Sequence, residues 1–199
     1  VLTAVNFSYR DSPATQKAAE IAASGKIGRI VHVEGSYLQG WLCGPQGYDD
    51  PKGNPPVSLL WRLSTRHGSA GVLGDLGVHL YDLAMFICGD IAELACELKT
   101  FDKSVKRFGE YVFDANDSFI TLARFKNGAI GTLGSSRWAA GQKNTVMIRV
   151  YGDNGGLDLN LDRPPEEKLR VCIGPEALRQ GKWEPVVCPP TPNTYQRFV

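Results

Sequence analysis

The residues with the clearest potential for chemistry are an aspartate and a histidine four positions apart, Asp75 and His79. On a helix, side chains at i and i+4 share a face, so the carboxylate can contact the imidazole. A carboxylate placed there fixes the histidine tautomer and stabilises the imidazolium, which is what a general base needs. The same spacing is equally typical of a structural histidine beside an acid at a helix N-terminus, and it does not decide between the two.

A helix that would carry this pair is predicted from Gly74 to Cys88. Apolar residues recur through the segment at helical spacing, and Gly89 follows as a stop signal. Asp82 shares the polar face with Asp75 and His79. The apolar positions are Leu76, Leu80, Leu83 and Ile87.

Two other kinds of site are disfavoured around this helix. Glycines at 68, 71, 74 and 77 form no G-x-G-x-x-G motif and no predicted strand leads into them, so a phosphate-binding loop is not expected. A metal site would recruit His67 with Asp75 and His79. The chain has only 3 histidines and no tight ligand cluster, so no metal site is predicted.

Composition excludes several classes of protein. The 199 residues carry 22 Lys plus Arg against 21 Asp plus Glu, which leaves no basic surface for nucleic acid or an anionic membrane. No apolar run approaches the roughly 20 residues that cross a bilayer, and no signal-peptide pattern opens the chain. The 5 cysteines include no C-x-x-C pair and suggest reduced thiols. We therefore expect a soluble, cytoplasmic protein.

The remaining pattern predicts an α+β fold. A helix is expected from Ser12 to Gly25, with Pro at its first position. The segment 40–70 reads as a long loop rich in Gly and Pro. Asn127-Gly128 predicts a two-residue hairpin turn with positive φ at both positions. Strands are predicted at 28–39, 92–101, 118–125, 130–138, 145–151, 157–161 and 169–173.

These strands should form a large, mostly antiparallel open sheet with helices on one face. Apolar residues nevertheless occur on both faces. In strand 118–125, Ile120 and Leu122 alternate with Phe119 and Phe125. Because the few helices can cover only one face, the other is expected to meet a second subunit or domain.

Several short motifs follow one another in an order that resembles a known family. The chain is similar to the C-terminal domain of the glucose-fructose oxidoreductase and inositol dehydrogenase (Gfo/Idh/MocA) family of NAD(P)-dependent oxidoreductases. The resemblance covers nearly all of the chain and is least typical at 40–60 and after 161. Its motifs are Asn6–Ala14, Ser24–Gly28, Trp61-Arg62, Asp75-x-Gly77-x-His79-x-x-Asp82 and Phe125–Ala129.

The resemblance implies that residues 1–199 are one substrate-binding and oligomerisation domain with a dihydrodipicolinate-reductase-like fold. An N-terminal Rossmann domain, absent here, would bind NAD or NADP and supply a lysine. By the same resemblance His79 would be the base for a sugar, polyol or cyclitol hydroxyl, with Asp75 in support. Homo-oligomers through the sheet are expected, and the domain alone should be inert. Residues facing the substrate would be Tyr37, Gln39, Trp61 and Arg62.

Alternative roles stay open at this point. Trp61 suits a core anchor and Arg62 a surface cation as well as they suit substrate contact. Arg10 and Asp82 are expected to be structural. A non-catalytic homologue that only binds a ligand or associates is one alternative function, and redox-assisted glycoside cleavage is another.

Overall fold

The computed structural model describes residues 6–43, 57–103 and 105–189. Its α-helices are α1 (Pro13–Ala23), α2 (Val78–Cys88) and α3 (Pro175–Gln180). Short 3-10 segments cover Ser8–Asp11, Val57–Leu63, Thr65–His67 and Pro165–Glu167, and a π-helical turn covers Leu73–Gly77. The strands are β1 (Ile30–Leu38), β2 (Ile91–Lys99), β3 (Arg107–Phe108), β4 (Tyr111–Val112), β5 (Ser118–Phe125), β6 (Ile130–Ser136), β7 (Thr145–Gly152), β8 (Gly155–Asn160), β9 (Leu169–Ile173) and β10 (Glu184–Pro185).

Eight strands form one open sheet in the order β10-β9-β8-β7-β1-β6-β5-β2, and β3 pairs with β4 separately. Pairing is antiparallel throughout the large sheet except between β1 and β6, which run parallel. The predicted α+β architecture with a large, mostly antiparallel sheet is therefore confirmed. No described α-helix interrupts the run from β2 to β9, so most of these strands pair with a sequence neighbour.

One continuous core joins α1 and α2 to the inner face of the sheet. Inward residues of the central strands, such as Val33, Phe119 and Ile148, are at most 2% exposed and pack against Ala18 and Leu83. Each strand sends alternate residues to this face, which explains the period-two pattern in the sequence. The packing holds the start of α2 against the end of β1.

The second predicted helix differs from expectation at its beginning. Leu73–Gly77 forms a π turn, and regular α-helix starts only at Val78. A π turn accommodates an extra residue per turn, so positions on either side lose their simple i, i+4 relation. Asp75 lies inside this turn and His79 just after it.

The hairpin at Asn127 is confirmed, but the prediction of positive φ at both turn residues is wrong. Of the two turn residues only Gly128 has positive φ, at 89°; Asn127 does not, and neither does any other described residue that is not glycine. The Asn127 side chain closes the turn instead: its oxygen accepts from the Ala129 amide at 3.0 Å, and its nitrogen donates to the Cys88 carbonyl at 2.8 Å. The turn is a type I turn followed by a left-handed glycine.

The long segment predicted as loop is only partly irregular. Residues 57–63 and 65–67 are 3-10 helical, while 44–56 lie outside the described residues. A small second core lies beneath this region, with Phe113 at its side and Trp41 and Trp138 packed against it. Its central residues are Leu42, Leu60 and Leu63.

The outer face of the sheet is left uncovered in the described part of the chain. Ile120, Leu122 and Ile130 are 66%, 62% and 57% exposed, as the two-faced apolar pattern predicted. Among the described helices none is long and apolar enough to cross a membrane.

Candidate functional site

His79 lies in the first turn of α2, among three aromatic rings. The ring centroids of Phe7, Tyr9 and Tyr37 are 5.9, 5.2 and 6.4 Å from the imidazole, the first two edge-on. The imidazole is half-buried, and its Nδ1 is fully buried without a hydrogen-bond partner among the described residues. A buried polar atom without a partner is costly, and such atoms concentrate at functional sites. This histidine is therefore not a satisfied core residue.

A chain of hydrogen bonds runs beside the imidazole. The Tyr37 hydroxyl donates to Asn144 Oδ1 at 2.8 Å, and the Tyr9 hydroxyl lies 2.8 Å from it on the other side. Gln39 Nε2 donates to the same Asn144 oxygen at 2.7 Å, and Trp41 Nε1 donates to Gln39 Oε1 at 2.8 Å. Because successive bonds fix one another, the network presents a rigid set of phenol and amide groups.

Tyr37 is held in its protonated form. Burial, together with the hydrogen bond shared with Tyr9, raises the pKa of Tyr37 well above its ordinary value. The negative charge of Asp75 acts in the same direction. Tyr37 can therefore donate a hydrogen bond but is unsuited to act as a base.

The hydrogen bond expected between Asp75 and His79 is not formed. Asp75 Oδ2 instead accepts from Arg62 Nε at 3.2 Å and from Arg137 Nη2 at 2.7 Å. Two guanidinium groups attract a carboxylate more strongly than a neutral imidazole does. The π turn at Leu73–Gly77 also shifts Asp75 from the position that a regular helix would give it.

Arg137 is a site residue that the sequence did not reveal. Its side chain is completely buried, donates through Nη1 to the Arg62 carbonyl at 3.0 Å, and lies 5.3 Å over the Trp41 ring. Burial lowers the pKa of Arg137, and the charge and hydrogen bond of Asp75 oppose that shift. An arginine directly after β6 looks like a surface residue in the sequence, and no local pattern marks it as buried.

Trp61 and Arg62 lie together on the 3-10 segment Val57–Leu63. The Arg62 guanidinium lies 4.6 Å over the Trp61 ring, and Trp61 is 42% exposed, so it is not a core anchor. Arg62 bonds Asp75, and Asp75 bonds Arg137, which lies over Trp41 in the network that includes Tyr37. The predicted residues thus form two adjacent groups, one around His79 and one around Asp75.

A bidentate ion pair holds the start of the chain against α2. Arg10 Nε and Nη2 donate to the Asp82 carboxylate at 2.7 and 2.5 Å. The hydrogen bond to Asp82 raises the pKa of Arg10. This pair fixes the segment Ser8–Asp11 and with it the Tyr9 ring beside His79, a structural role of the kind expected for both residues.

His67 lies apart from the site. Its Nδ1 is 3.0 Å from the Ser64 hydroxyl, and its ring lies 4.2 Å from that of Tyr111. No group of three or more His, Cys, Asp or Glu side chains suited to a metal occurs in the part of the chain that the structure describes.

The chain is similar in sequence to one family of proteins. Residues 15–158 match the model of the GFO/IDH/MocA C-terminal domain. Levoglucosan dehydrogenase from Pseudarthrobacter phenanthrenivorans is 29% identical over 193 residues, which cover 89% of this chain and 46% of that protein. D-glucoside 3-dehydrogenase from Escherichia coli is 26% identical over 167 residues, which cover 78% and 43%. The chain thus spans about half the length of these curated relatives.

Solved structures show the same fold. A levoglucosan dehydrogenase in complex with NADH and levoglucosan superposes with a TM-score of 0.77 at 30% identity, over 92% of this chain and 46% of the other. An inositol dehydrogenase homolog complexed with NAD+ from Azotobacter vinelandii gives 0.72 at 25% identity, over 92% and 42%. The chain belongs to the Gfo/Idh/MocA oxidoreductase family and carries its C-terminal domain.

Proposed function

We propose that this chain is the substrate-binding and catalytic half of an NAD(P)-dependent oxidoreductase that acts on a hydroxyl of a sugar, polyol or cyclitol. The observation that carries the proposal is the unsatisfied imidazole of His79 beside the network of Tyr9, Tyr37, Asn144 and Gln39. Relatives named for levoglucosan and D-glucoside dehydrogenation support a sugar-like substrate.

The network suits a polyhydroxylated ligand. Each sugar hydroxyl both donates and accepts a hydrogen bond, and the phenols and amides of Tyr9, Gln39 and Asn144 offer both functions. Fixed mutual bonds keep these groups in place before the substrate arrives, which lowers the entropic cost of binding. Trp61 adds an exposed aromatic face against which a sugar ring can pack.

In the proposed reaction His79 accepts the hydroxyl proton. Because Nδ1 is buried, Nε2 is the nitrogen that accepts this proton, and the imidazole must carry its hydrogen on Nδ1 beforehand. Asp75 makes no hydrogen bond to Nδ1, since Arg62 and Arg137 hold its carboxylate. We assign Asp75 a supporting role through its negative charge, which favours the imidazolium.

The cofactor proposed is NAD or NADP, which when bound accepts the hydride from the substrate carbon. The phenol, imidazole and amide groups of this site suit the alcohol rather than a dinucleotide, and residues 1–199 contain no G-x-G-x-x-G motif. We therefore assign dinucleotide binding mainly to another part of the full-length protein and expect residues 1–199 to be inert alone. Since Cys43, Cys88, Cys96, Cys172 and Cys188 all carry free thiols, we place the protein in the cytoplasm.

The test is turnover by the full-length protein on levoglucosan, methyl glucosides and inositol with each nicotinamide dinucleotide. His79→Ala should lower kcat by at least about 10²-fold, since a positioned general base contributes that much. His32→Ala is the matched control, because His32 lies on the outer face of β1, and it should retain activity. Unchanged kcat in His79→Ala would refute the mechanism. Product analysis on glycosides separates simple dehydrogenation from glycoside cleavage.

We also propose that a second copy packs on the outer face of the sheet. The exposed Ile120, Leu122 and Ile130 line this face together with a shallow cavity of about 420 Å³ beside Gly131 and Thr132. Apolar patches of this kind mark protein interfaces rather than free surface.

A further inference from the structure

The edge of the sheet at β2 is a second unpartnered surface. β2 ends the strand order, so only its β5 side is paired in the described part of the chain. Every residue from Ala92 to Lys99 is exposed. A nine-residue edge strand with open backbone groups is a ready template for pairing with another strand.

The inner side of this edge is apolar and uncovered. Leu94 and Leu98 share the face of Phe119 and Ala123, yet they are 55% and 45% exposed because α2 does not reach over them. A groove of about 380 Å³ separates the strand from the helix, lined by Leu73, Tyr81, Met85, Leu94 and Cys96. This groove lies on the opposite face from Ile120 and Leu122.

The direction of the open backbone groups follows from one hydrogen bond. The Lys99 carbonyl accepts from the Asp117 amide at 2.9 Å and is therefore directed towards β5. Backbone groups alternate in direction along a strand, so those of Leu94, Cys96 and Leu98 are directed to the open edge. These three residues can pair with a new strand.

We propose that two copies of this chain pair antiparallel along β2, with the twofold axis passing by Cys96. In this register Leu94 of one copy lies opposite Leu98 of the other, Glu93 lies opposite Lys99, and the two Cys96 residues face each other. About six backbone hydrogen bonds form between the strands. Opposite charges and apolar pairs directly across two strands both stabilise pairing.

Charge selects this register over its neighbour. A twofold axis at Ala95, the middle of β2, would set Glu93 against Glu97 twice, which is repulsive. When the axis lies at Cys96, each repulsive pair is replaced by an attractive pair of Glu93 with Lys99 of the other copy. Residues 93–99 of both copies remain paired. Glu93 already lies 3.9 Å from Arg124, and Lys99 of the second copy adds to that ion pair on the same face. Charged residues on an edge often block pairing, but in the register centred on Cys96 they form two attractive pairs.

The first test is disulfide formation in the full-length protein. Cα atoms of a directly hydrogen-bonded antiparallel pair are about 5.5 Å apart, within the range that a disulfide spans. Diamide oxidises two neighbouring thiols and itself takes up the two hydrogen atoms, so a covalent dimer is expected. Burial raises the pKa of the Cys88 thiol to about 12 and Cys172 is also buried, so neither competes.

The cross-link should disappear in Cys96→Ser and persist in Cys43→Ser, whose thiol is half-buried. A covalent dimer that survives Cys96→Ser, or none in the unaltered protein, would overturn the proposal. The absence of a covalent dimer in the unaltered protein is also expected if another part of the full-length protein covers β2, and that arrangement likewise excludes pairing of two copies at this edge.

The second test is charge exchange. Lys99→Glu should raise the dissociation constant of the edge dimer by about tenfold, because two attractive pairs become repulsive. Glu93→Lys combined with Lys99→Glu should recover most of the affinity, since the exchange recreates the pairs between the copies and gives up only the exposed contact of Glu93 with Arg124. Analytical ultracentrifugation of the full-length protein measures both. Lack of rescue by the double exchange contradicts the register. These results do not depend on catalysis or on the outer face, so the proposals fail separately.

Discussion

Arg137 and Arg62 bind the same carboxylate oxygen of Asp75, but the two side chains differ in their exposure to solvent. Arg137 is completely buried, whereas the Arg62 side chain is 31% exposed. Exposed ion pairs contribute little because water competes for both charges, while a buried charge depends on its partner. Each arginine therefore donates one hydrogen bond to the same carboxylate oxygen, but the two should differ widely in how much they contribute to the free energy of unfolding.

Arg137→Met should lower the free energy of unfolding by about 3 kcal/mol, since it leaves Asp75 with one cation and loses the packing on Trp41. Arg62→Met is the matched variant and should cost less than about 1 kcal/mol. Chemical denaturation of the full-length protein measures both. Equal losses would show that burial does not separate the two pairs.

At the scale of the elements, β8 and β9 are joined by charge as well as by packing. Asp158 in β8 is 3% exposed and lies within 2.7 Å of Arg170, 2.9 Å of Arg163 and 3.4 Å of Arg149. Burial opposes ionisation of Asp158, but the hydrogen bond from Arg170 and the charge of Arg163 outweigh it and lower its pKa. The carboxylate thus holds cations from β7, β9 and the turn after β8.

This arrangement predicts an acid-dependent loss of stability. Because the folded-state pKa of Asp158 lies below the ordinary value of about 3.9, its contribution is complete above about pH 4 and is lost as the pH falls through the folded-state pKa. Asp158→Asn should lower the free energy of unfolding by about 3 kcal/mol at pH 7, and the difference should shrink below pH 4. Denaturation curves across this range test it. A difference independent of pH would mean that the pairs do not stabilise the ionised form.

At the scale of the whole molecule, the two faces of the sheet differ in what covers them. The inner face carries the helices and supports the site around His79, while the outer face carries Ile120, Leu122 and Ile130 with nothing described over them. A sheet that is apolar on both faces needs cover on both. The second copy that we propose on the outer face would therefore lie opposite the proposed catalytic site.

Leu122→Glu in the full-length protein should shift the assembly to a smaller species, because a charge buried in an apolar interface costs several kcal/mol. Folding should be preserved, since Leu122 is 62% exposed within one copy. Val187→Glu is a matched control, as Val187 is 90% exposed and outside the sheet. Light scattering measures the size of each variant. An unchanged assembly would exclude the outer face as the interface.

The seven longer strands and both main helices could be predicted because their signals are local, whereas the two-residue strands β3, β4 and β10 were not predicted. The bounds of Ser118–Phe125 and Leu169–Ile173 agree with the predicted strands, and α1 begins at the proline that the sequence marked. The turn at Asn127 was found as a hairpin but assigned the wrong conformation. In the observed conformation its side chain bonds the carbonyl of Cys88, 39 residues away, a contact that local sequence does not reveal.

By itself the sequence determined the fold class and the family, because periodicity and short motifs lie within neighbouring residues. Through the family resemblance it also named His79, Tyr37 and Gln39 as candidate site residues. The tertiary structure decided the partners. Asp75 lies against Arg62 and Arg137 rather than His79, and Tyr9 and Asn144 complete the network around Tyr37. These contacts join residues up to 135 positions apart, and such pairings depend on how the strands assemble in space rather than on local spacing.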